Sequence, residues 1–234
     1  MYENFSSSQQ QLDMEKGLNT YISKIFGTMF LGLLVTALAA LFTVSSPAMF
    51  NLIYGSPFMF VLIIAELVIV FSLSARVTRM SYSSALLMFY AYAVINGITL
   101  ASVFVVYELG TIYTAFFTAA ISFGVMAIYG MVTKKDLTRV GSVMLMLLIG
   151  VIVASLINMF VRSQGFDLLI SFVAVALFVG LVAFDTQKLK SYYYMSANDH
   201  QLQRKIGIIG ALSLYLDFIN IFLYLLRIFG NRRD

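Results

Sequence analysis

Apolar residues occur along the chain in long blocks, which short polar segments separate. Seven blocks can be placed, at about 25–44, 57–75, 83–106, 111–132, 140–161, 168–187 and 207–229. A hydrocarbon core about 30 Å thick needs roughly 20 apolar residues in a helix, because an α-helix rises 1.5 Å per residue. The pattern therefore predicts an all-α polytopic membrane protein with seven transmembrane helices.

The first 24 residues differ from the rest because they are polar and mixed in charge. They lack the apolar core of a cleavable signal peptide, so we expect the first transmembrane helix to direct insertion. We predict a polar N-terminal tail over residues 1–24 and a single transmembrane domain over residues 25–234. Within the tail, residues 18–26 are a candidate for a short amphipathic helix at the membrane interface.

Composition supports a membrane protein and argues against several other classes. Only 11% of residues are charged and 61% are hydrophobic, whereas a soluble domain carries roughly 25% charged residues. The net charge of +4 comes from basic residues between the apolar blocks, where they indicate topology and contact anionic lipid rather than nucleic acid. The absence of cysteine excludes disulfides and thiolate metal sites. No phosphate loop, nucleophile–base pair or metal-ligand spacing indicates an enzyme.

Lysine and arginine are unevenly divided between the two sides of the predicted bundle. The tail and every second connection hold 11 of them, and the alternate connections with the C-terminus hold 3. The positive-inside rule therefore puts the N-terminus in the cytoplasm. Seven spans then put Arg232 and Arg233 on the outer side. A last segment that enters the membrane and returns would leave both termini in the cytoplasm, and the sequence leaves this alternative open.

Three acidic residues fall within the predicted spans. Glu66 and Asp217 lie near the middle of the second and seventh spans, and Asp185 lies in the last turn of the sixth. An acidic residue at membrane depth is costly and is by default a functional hypothesis. Asp185 has two interpretations: it is solvated near the headgroups and paired with Lys188 three residues later, or it points inward and meets Asp217.

A polar stripe indicates where Asp217 points. Ser213, Asp217, Asn220 and Tyr224 follow one another at helical spacing, while the other faces of this helix carry Leu, Ile and Phe. A polar stripe on an apolar helix must face protein or water instead of lipid. The seventh helix is therefore expected at the centre of the bundle or beside a cavity.

Asp185 and Asp217 would form a carboxylate pair if they lie within hydrogen-bond distance of each other. Two carboxylates in a medium of low dielectric cannot both easily ionise, so they share a proton. Such a pair titrates with pH and, when ionised, offers oxygen ligands that suit a hard cation such as calcium. The pair is therefore a candidate pH sensor and a candidate calcium site.

Glu66 has three interpretations. It is a third member of the acidic group, it is hydrogen-bonded to a neighbour on the third span such as Asn96 or Thr99, or it pairs with a basic side chain from another helix. Arg76 lies ten residues later, about 15 Å along the axis of a helix, and cannot pair with Glu66 in a straight helix. Arg76 can extend towards Asp185 if both lie at the cytoplasmic end.

The glycines suggest further contacts between helices, and the histidine marks a polar loop. The glycines at Gly124 and Gly130, and at Gly207 and Gly210, are candidates for close packing between helices. His200, the sole histidine, is expected in a solvated polar loop that covers residues 188–205.

The segment LSLYLDFINIFLYLLRIFG, with AFDTQKL before it, closely resembles the Bax inhibitor-1 (transmembrane Bax inhibitor motif) family, in particular its bacterial inner-membrane branch. The NGITLASVFVVY stretch and the TKKDL connection match too, so the resemblance covers the chain after about residue 20. It implies six helices around a central seventh and a pH-sensitive calcium leak. The family's pH-sensing aspartates fall on Asp185 and Asp217. An arginine that is linked to them in one branch has Arg76 as its nearest match.

The first hypothesis is therefore a passive calcium leak that protonation of Asp185 and Asp217 gates. The alternative is a membrane regulator without transport, because some bacterial members of the family bind a membrane-anchored AAA protease and eukaryotic members suppress cell death. Its basis in this sequence is the polar tail and the loop over residues 188–205. A proton-coupled transporter is a third hypothesis, since intramembrane acids also serve proton relays.

Overall fold

The structure is a computed structural model that describes residues 2–230, with side chains from residue 12 onward. Arg232 and Arg233 lie outside the described residues. The helices are α1 (Tyr2–Ser45), α2 (Pro47–Tyr54), α3 (Phe58–Arg76), α4 (Tyr82–Leu100), α5 (Val103–Val106), α6 (Leu109–Val132), α7 (Thr138–Val161), α8 (Gln164–Met195) and α9 (His200–Phe229). A 3₁₀ turn over Val77–Arg79 follows α3.

Seven segments of the described chain are long and apolar enough to cross a membrane. They are Leu12–Ser45, Phe58–Arg79, Tyr82–Val106, Leu109–Val132, Thr138–Val161, Gln164–Met195 and His200–Phe229. The predicted all-α membrane protein with seven transmembrane helices is confirmed. The seventh segment is one unbroken helix, so the alternative in which it enters the membrane and returns is not observed.

The first helix extends further upstream than the sequence pattern suggested. Helix α1 runs without a break through residue 24, and Tyr21, Ile25 and Met29 are buried in the core. These three residues recur every four positions, so they continue one helical face into the segment predicted as a tail. The ring of Tyr21 lies 5.6 Å from that of Tyr193 in α8, which ties this part of α1 to the bundle.

The loop predicted over residues 188–205 is mostly helical. Helix α8 continues to Met195 and α9 begins at His200, so four residues, 196–199, join them. Asp199 caps α9, because its carboxylate accepts hydrogen bonds of 2.9 Å from the backbone N–H groups of Gln201 and Leu202. His200 is an exposed residue at the start of α9. Asp185 consequently lies well inside α8, about three turns before its end, and not in a last turn.

Helix α9 is the most deeply buried of the seven spans. It packs against α1, α4, α6 and α8, and against the 3₁₀ turn after α3. A Cβ at Gly207 would lie in ordinary van der Waals contact with Tyr21 and Ile25 of α1, whereas a Cβ at Gly210 would collide with the side chain of Leu189 in α8. Gly210 therefore allows α8 to approach α9 closely.

Helices α3 and α7 lie at the periphery of the bundle. Helix α3 packs on α4, and α7 packs on α8. The buried residues are Leu62 and Leu73 in α3 and Gly141 and Val151 in α7. Both helices therefore present most of their surface away from the protein core.

The two glycines of α6 have different surroundings. A Cβ at Gly130 would collide with the backbone carbonyl oxygen of Ala183 in α8, whereas a Cβ at Gly124 would have no neighbour within 4 Å. A backbone atom cannot rotate away as a flexible side chain can. Gly130 is therefore a close-packing position, and Gly124 is not.

We expect Gly130→Ala to lower the free energy of unfolding by about 1–3 kcal/mol, the usual cost of overpacking a tight contact. Gly124→Ala is the matched control on the same helix. It should be neutral or slightly stabilising, because alanine is favoured over glycine in a helix by about 1 kcal/mol. Thermal unfolding of both variants in one detergent measures the difference. Equal stabilities would contradict the close contact between α6 and α8.

Candidate functional site

A cavity of about 490 Å³ lies between α3, α4, α7, α8 and α9. All three intramembrane acids, Glu66, Asp185 and Asp217, contribute to its lining. The whole predicted polar stripe of α9 lines it as well, through Ser213, Asp217, Asn220 and Tyr224. The side chains that the sequence identified by helical spacing therefore share one cavity within the transmembrane region.

Asp217 is the most unusual of these residues. Its side chain is almost fully buried, at 5% exposure, and its Oδ2 atom has no hydrogen-bond partner. A buried carboxylate oxygen without a partner costs free energy, and the cost is larger if the group is charged. Asp185 lies close enough for the two acids to interact through their charge. The structure thus places the two predicted aspartates on adjacent helices in the lining of one cavity, without a hydrogen bond to Asp217 Oδ2.

Asp185 combines features of both interpretations that the sequence left open. It is half-buried and lines the cavity, where the hydroxyl of Ser213 in α9 lies close enough to interact with its carboxylate. Lys188 also acts on it through its charge. The ammonium of Lys188, however, lies 5.5 Å from the ring centres of both Phe184 and Tyr192. Asp185 therefore points towards α9, with a lysine nearby that is held over aromatic rings.

Glu66 reaches the cavity and is hydrogen-bonded at the same time. The hydroxyl of Thr99 in α4 donates a hydrogen bond of 2.7 Å to its Oε1 atom, as the second interpretation of Glu66 anticipated. The side chain of Asn96 lies near the same carboxylate. Glu66 therefore has polar partners on α4, which Asp217 lacks.

A buried hydrogen-bond network continues from Asn96 through the centre of the bundle. The hydroxyl of Tyr215, which is fully buried, donates a hydrogen bond of 2.9 Å to Asn96 Oδ1. Thr36 Oγ1 of α1 lies 2.6 Å from the same hydroxyl. The network therefore joins α1, α4 and α9. Sequence reasoning missed Tyr215, although Thr36 and Asn96 are each polar positions in apolar helices, which is the signal that could have indicated it.

Arg76 does not join the acidic group. It is exposed at the end of α3, a helix that packs on α4 and not on α8. Among the described side chains, the one ion pair joins Asp167 and Arg227 at 3.8 Å. That pair connects the start of α8 to the end of α9, at the end of the bundle opposite the turn at 196–199. Arg76 therefore does not make the predicted contact with the aspartate pair.

The cavity offers oxygen atoms to a cation but not a closed metal cage. Within the described residues, no group of three or more His, Cys, Asp or Glu side chains converges as a metal site. Calcium takes six to eight oxygen ligands. Asp185 and Asp217 would supply carboxylates, and Ser213 and Asn220 would supply neutral oxygens. Such a set suits a transient or partly hydrated cation better than a tightly held structural ion.

Comparison with known proteins gives matches over nearly the whole chain. The family described as "Inhibitor of apoptosis-promoting Bax1" matches residues 18–234. The inner membrane protein YbhL of Escherichia coli (strain K12) is 41% identical over 233 residues, covering 99% of this chain and 100% of that protein. An uncharacterised protein of Rickettsia prowazekii is 38% identical, covering 98% and 97% of the two chains. One of Borreliella burgdorferi is 38% identical, covering 92% and 94%.

We expect Tyr215→Phe to lower the free energy of unfolding by about 1–3 kcal/mol, because Asn96 would lose a buried hydrogen-bond donor. Tyr113→Phe is the control, since Tyr113 is 59% exposed and its substitution should change stability by less than about 0.5 kcal/mol. Thermal unfolding in detergent checks both. If Tyr215→Phe is as stable as the control, the network does not hold α1, α4 and α9 together.

Proposed function

The chain belongs to the Bax inhibitor-1 family, and on this basis we propose that it is a pH-sensitive calcium leak, gated by protonation of Asp185 and Asp217. The observation that carries the proposal is the buried Asp217, whose Oδ2 atom has no partner in a cavity that Asp185 also lines. Ionisable residues that face a cavity within a membrane protein commonly mark the path of ions or protons.

The gating step is a change of charge between α8 and α9. When the two carboxyl groups share one proton, an O–H···O bond links the helices and the pair carries one negative charge. Loss of that proton leaves two negative charges, which repel each other by about 4 kcal/mol at 4 Å and an effective dielectric constant of about 20. An energy of this size changes the ratio of two conformations by roughly a thousandfold.

Other groups around the cavity modify this response. Lys188 on α8 attracts the charge of Asp185, and Glu66 on α3 adds a third acid that Thr99 partly satisfies. Tyr92 of α4 and Tyr224 of α9 complete the titratable lining, whereas the lining from α7 is apolar. The acids outnumber the bases, so the cavity favours cations over anions.

The peripheral helices are the elements that can move at least cost. Helices α3 and α7 flank the cavity and bury few residues, so a shift of either exposes little core surface. Helix α9, in contrast, is fixed by the network around Tyr215. We therefore propose that the path opens on the side of α3 and α7.

The protein is an integral membrane protein, and we propose that it lies in the bacterial inner membrane with a cytoplasmic N-terminus. The similar YbhL is named as an inner membrane protein. Most lysines and arginines belong to the end of the bundle that carries the turn at 196–199, and Lys205 there donates a hydrogen bond to Thr78. The positive-inside rule assigns this end to the cytoplasm.

The alternative function, a regulator of a membrane-anchored protease without transport, depended partly on a long loop. That loop is reduced to residues 196–199 in the structure. No feature of the described chain favours this function over a leak, so we propose no second function. Uphill movement of a solute driven by a proton gradient would distinguish a proton-coupled transporter from a leak.

Calcium entry into proteoliposomes over a pH series tests the proposal. The flux through the parent protein should depend on pH, because loss of the shared proton changes the charge between α8 and α9. Asp217→Asn leaves Asp185 as a single charge, which equals the charge of the pair that shares a proton. The rate of this variant should therefore stay close to the parent's rate at acid pH over the whole series. Asp185→Asn should behave in the same way.

Asp136→Asn is the matched control, because it removes an acid from the exposed connection between α6 and α7. Its pH profile should match that of the parent. A parent that passes no calcium would refute the leak itself. If the parent and both cavity variants have the same flux rate and the same pH profile, gating by the aspartate pair is refuted.

A further inference from the structure

The cavity that holds the acids is mostly apolar. Of its 16 lining residues, nine are Leu, Ile, Val or Phe. A path for a bare cation does not require such a wall, because apolar atoms cannot replace the water around an ion. The lining therefore calls for an explanation besides the passage of calcium.

Six of the nine apolar lining residues belong to α3 and α7. Leu67 and Phe71 of α3, and Leu145 and Ile152 of α7, line the cavity and are also between 46% and 70% exposed at the surface of the bundle. Helices α3 and α7 pack on α4 and α8, and no packed interface joins them to each other within the described chain. The cavity is therefore open sideways between α3 and α7, at the depth of the lipid acyl chains.

Asp185 of α8 and Asp217 of α9 line the opposite side, and the third acid, Glu66, belongs to α3. A ligand that fills this space must be polar at one end and apolar at the other. The cavity volume of about 490 Å³ falls within the range of small-molecule sites, roughly 300–1,000 Å³, which are also largely apolar with a few polar groups.

We propose that this cavity binds a lipophilic amine, with its ammonium group between Asp185 and Asp217 and its alkyl chain between α3 and α7. Binding itself does not require transport. The effect on calcium flux rests on the proposed function, because the bound ammonium would offset one of the two negative charges, as the shared proton does, and would hold the leak in the same state.

The chemistry of the lining selects an ammonium over other headgroups. Three acids face the cavity, so an anionic headgroup is repelled. An ammonium brings three N–H donors and a positive charge, and its hydrogen bonds to carboxylates are stronger than those of a neutral hydroxyl. The unpartnered oxygen of Asp217 supplies an acceptor. A calcium ion needs six to eight oxygen ligands, whereas an ammonium is satisfied by about three.

Tryptophan fluorescence tests the proposal, because the chain contains no tryptophan. Phe71→Trp introduces one beside the cavity. Phe60→Trp is the matched control, since Phe60 lies on the same helix, does not line the cavity and is equally exposed, at 70%. Each variant is placed in phosphatidylcholine nanodiscs and titrated with chain-brominated dodecylamine, and separately with chain-brominated dodecanol. Bromine quenches tryptophan only at short range.

We expect the amine to quench the tryptophan fluorescence of Phe71→Trp at a concentration about tenfold or more below the concentration of alcohol that gives the same quenching. This is the difference that a charged hydrogen bond predicts. For Phe60→Trp the ratio between amine and alcohol should be smaller and should reflect partition into the bilayer alone. Adding Asp217→Asn to Phe71→Trp should remove the excess preference for the amine. Asp185→Asn serves as a second variant if the first does not fold.

Equal amine-to-alcohol ratios in Phe71→Trp and Phe60→Trp would overturn the inference. An excess preference that persists in folded Asp217→Asn or Asp185→Asn protein would also overturn it. Calcium flux without amine preference would refute this inference alone, and amine preference without calcium flux would refute the proposed function alone.

Discussion

The structure depends on one constraint: a polar group within the hydrocarbon region must meet protein or a cavity, because lipid offers it no hydrogen bond. Helix α9 carries Ser213, Tyr215, Asp217 and Asn220 within two turns. No orientation of this helix at the edge of the bundle would hide all four from lipid. Helices α1, α4, α6 and α8 pack against it, and Gly210 allows α8 to approach it closely.

The two polar faces of α9 have different physical characters. Tyr215 and Asp217 are two residues apart and so point in nearly opposite directions. Tyr215 faces α1 and α4, where its hydroxyl is satisfied. Asp217 faces a cavity, where its Oδ2 atom has no hydrogen-bond partner. One face fixes the helix in the bundle, and the other leaves an acid facing a cavity.

The sequence predicted what periodicity and membrane thickness determine, and it missed what tertiary packing determines. The seven spans and the stripe around Asp217 follow from helical spacing. The end of α8 at Met195 did not follow from helical spacing, because the polar residues there were predicted as a loop. The cap at Asp199 separates this part of α8 from α9. The isolation of Arg76 and the opening between α3 and α7 depend on which helices pack together, and that information is absent from any single segment.

The length of α8 beyond Asp185 has a mechanical consequence. Ten further residues, to Met195, form a rigid arm of about 15 Å. A tilt of about 10° at the aspartate pair would displace the tip of this arm by about 2.6 Å, given a rise of 1.5 Å per residue. The short turn at 196–199 couples that arm to the start of α9. Under the proposed gating, a proton gained or lost at the aspartate pair would displace this arm at the membrane surface, where water-soluble molecules can detect it.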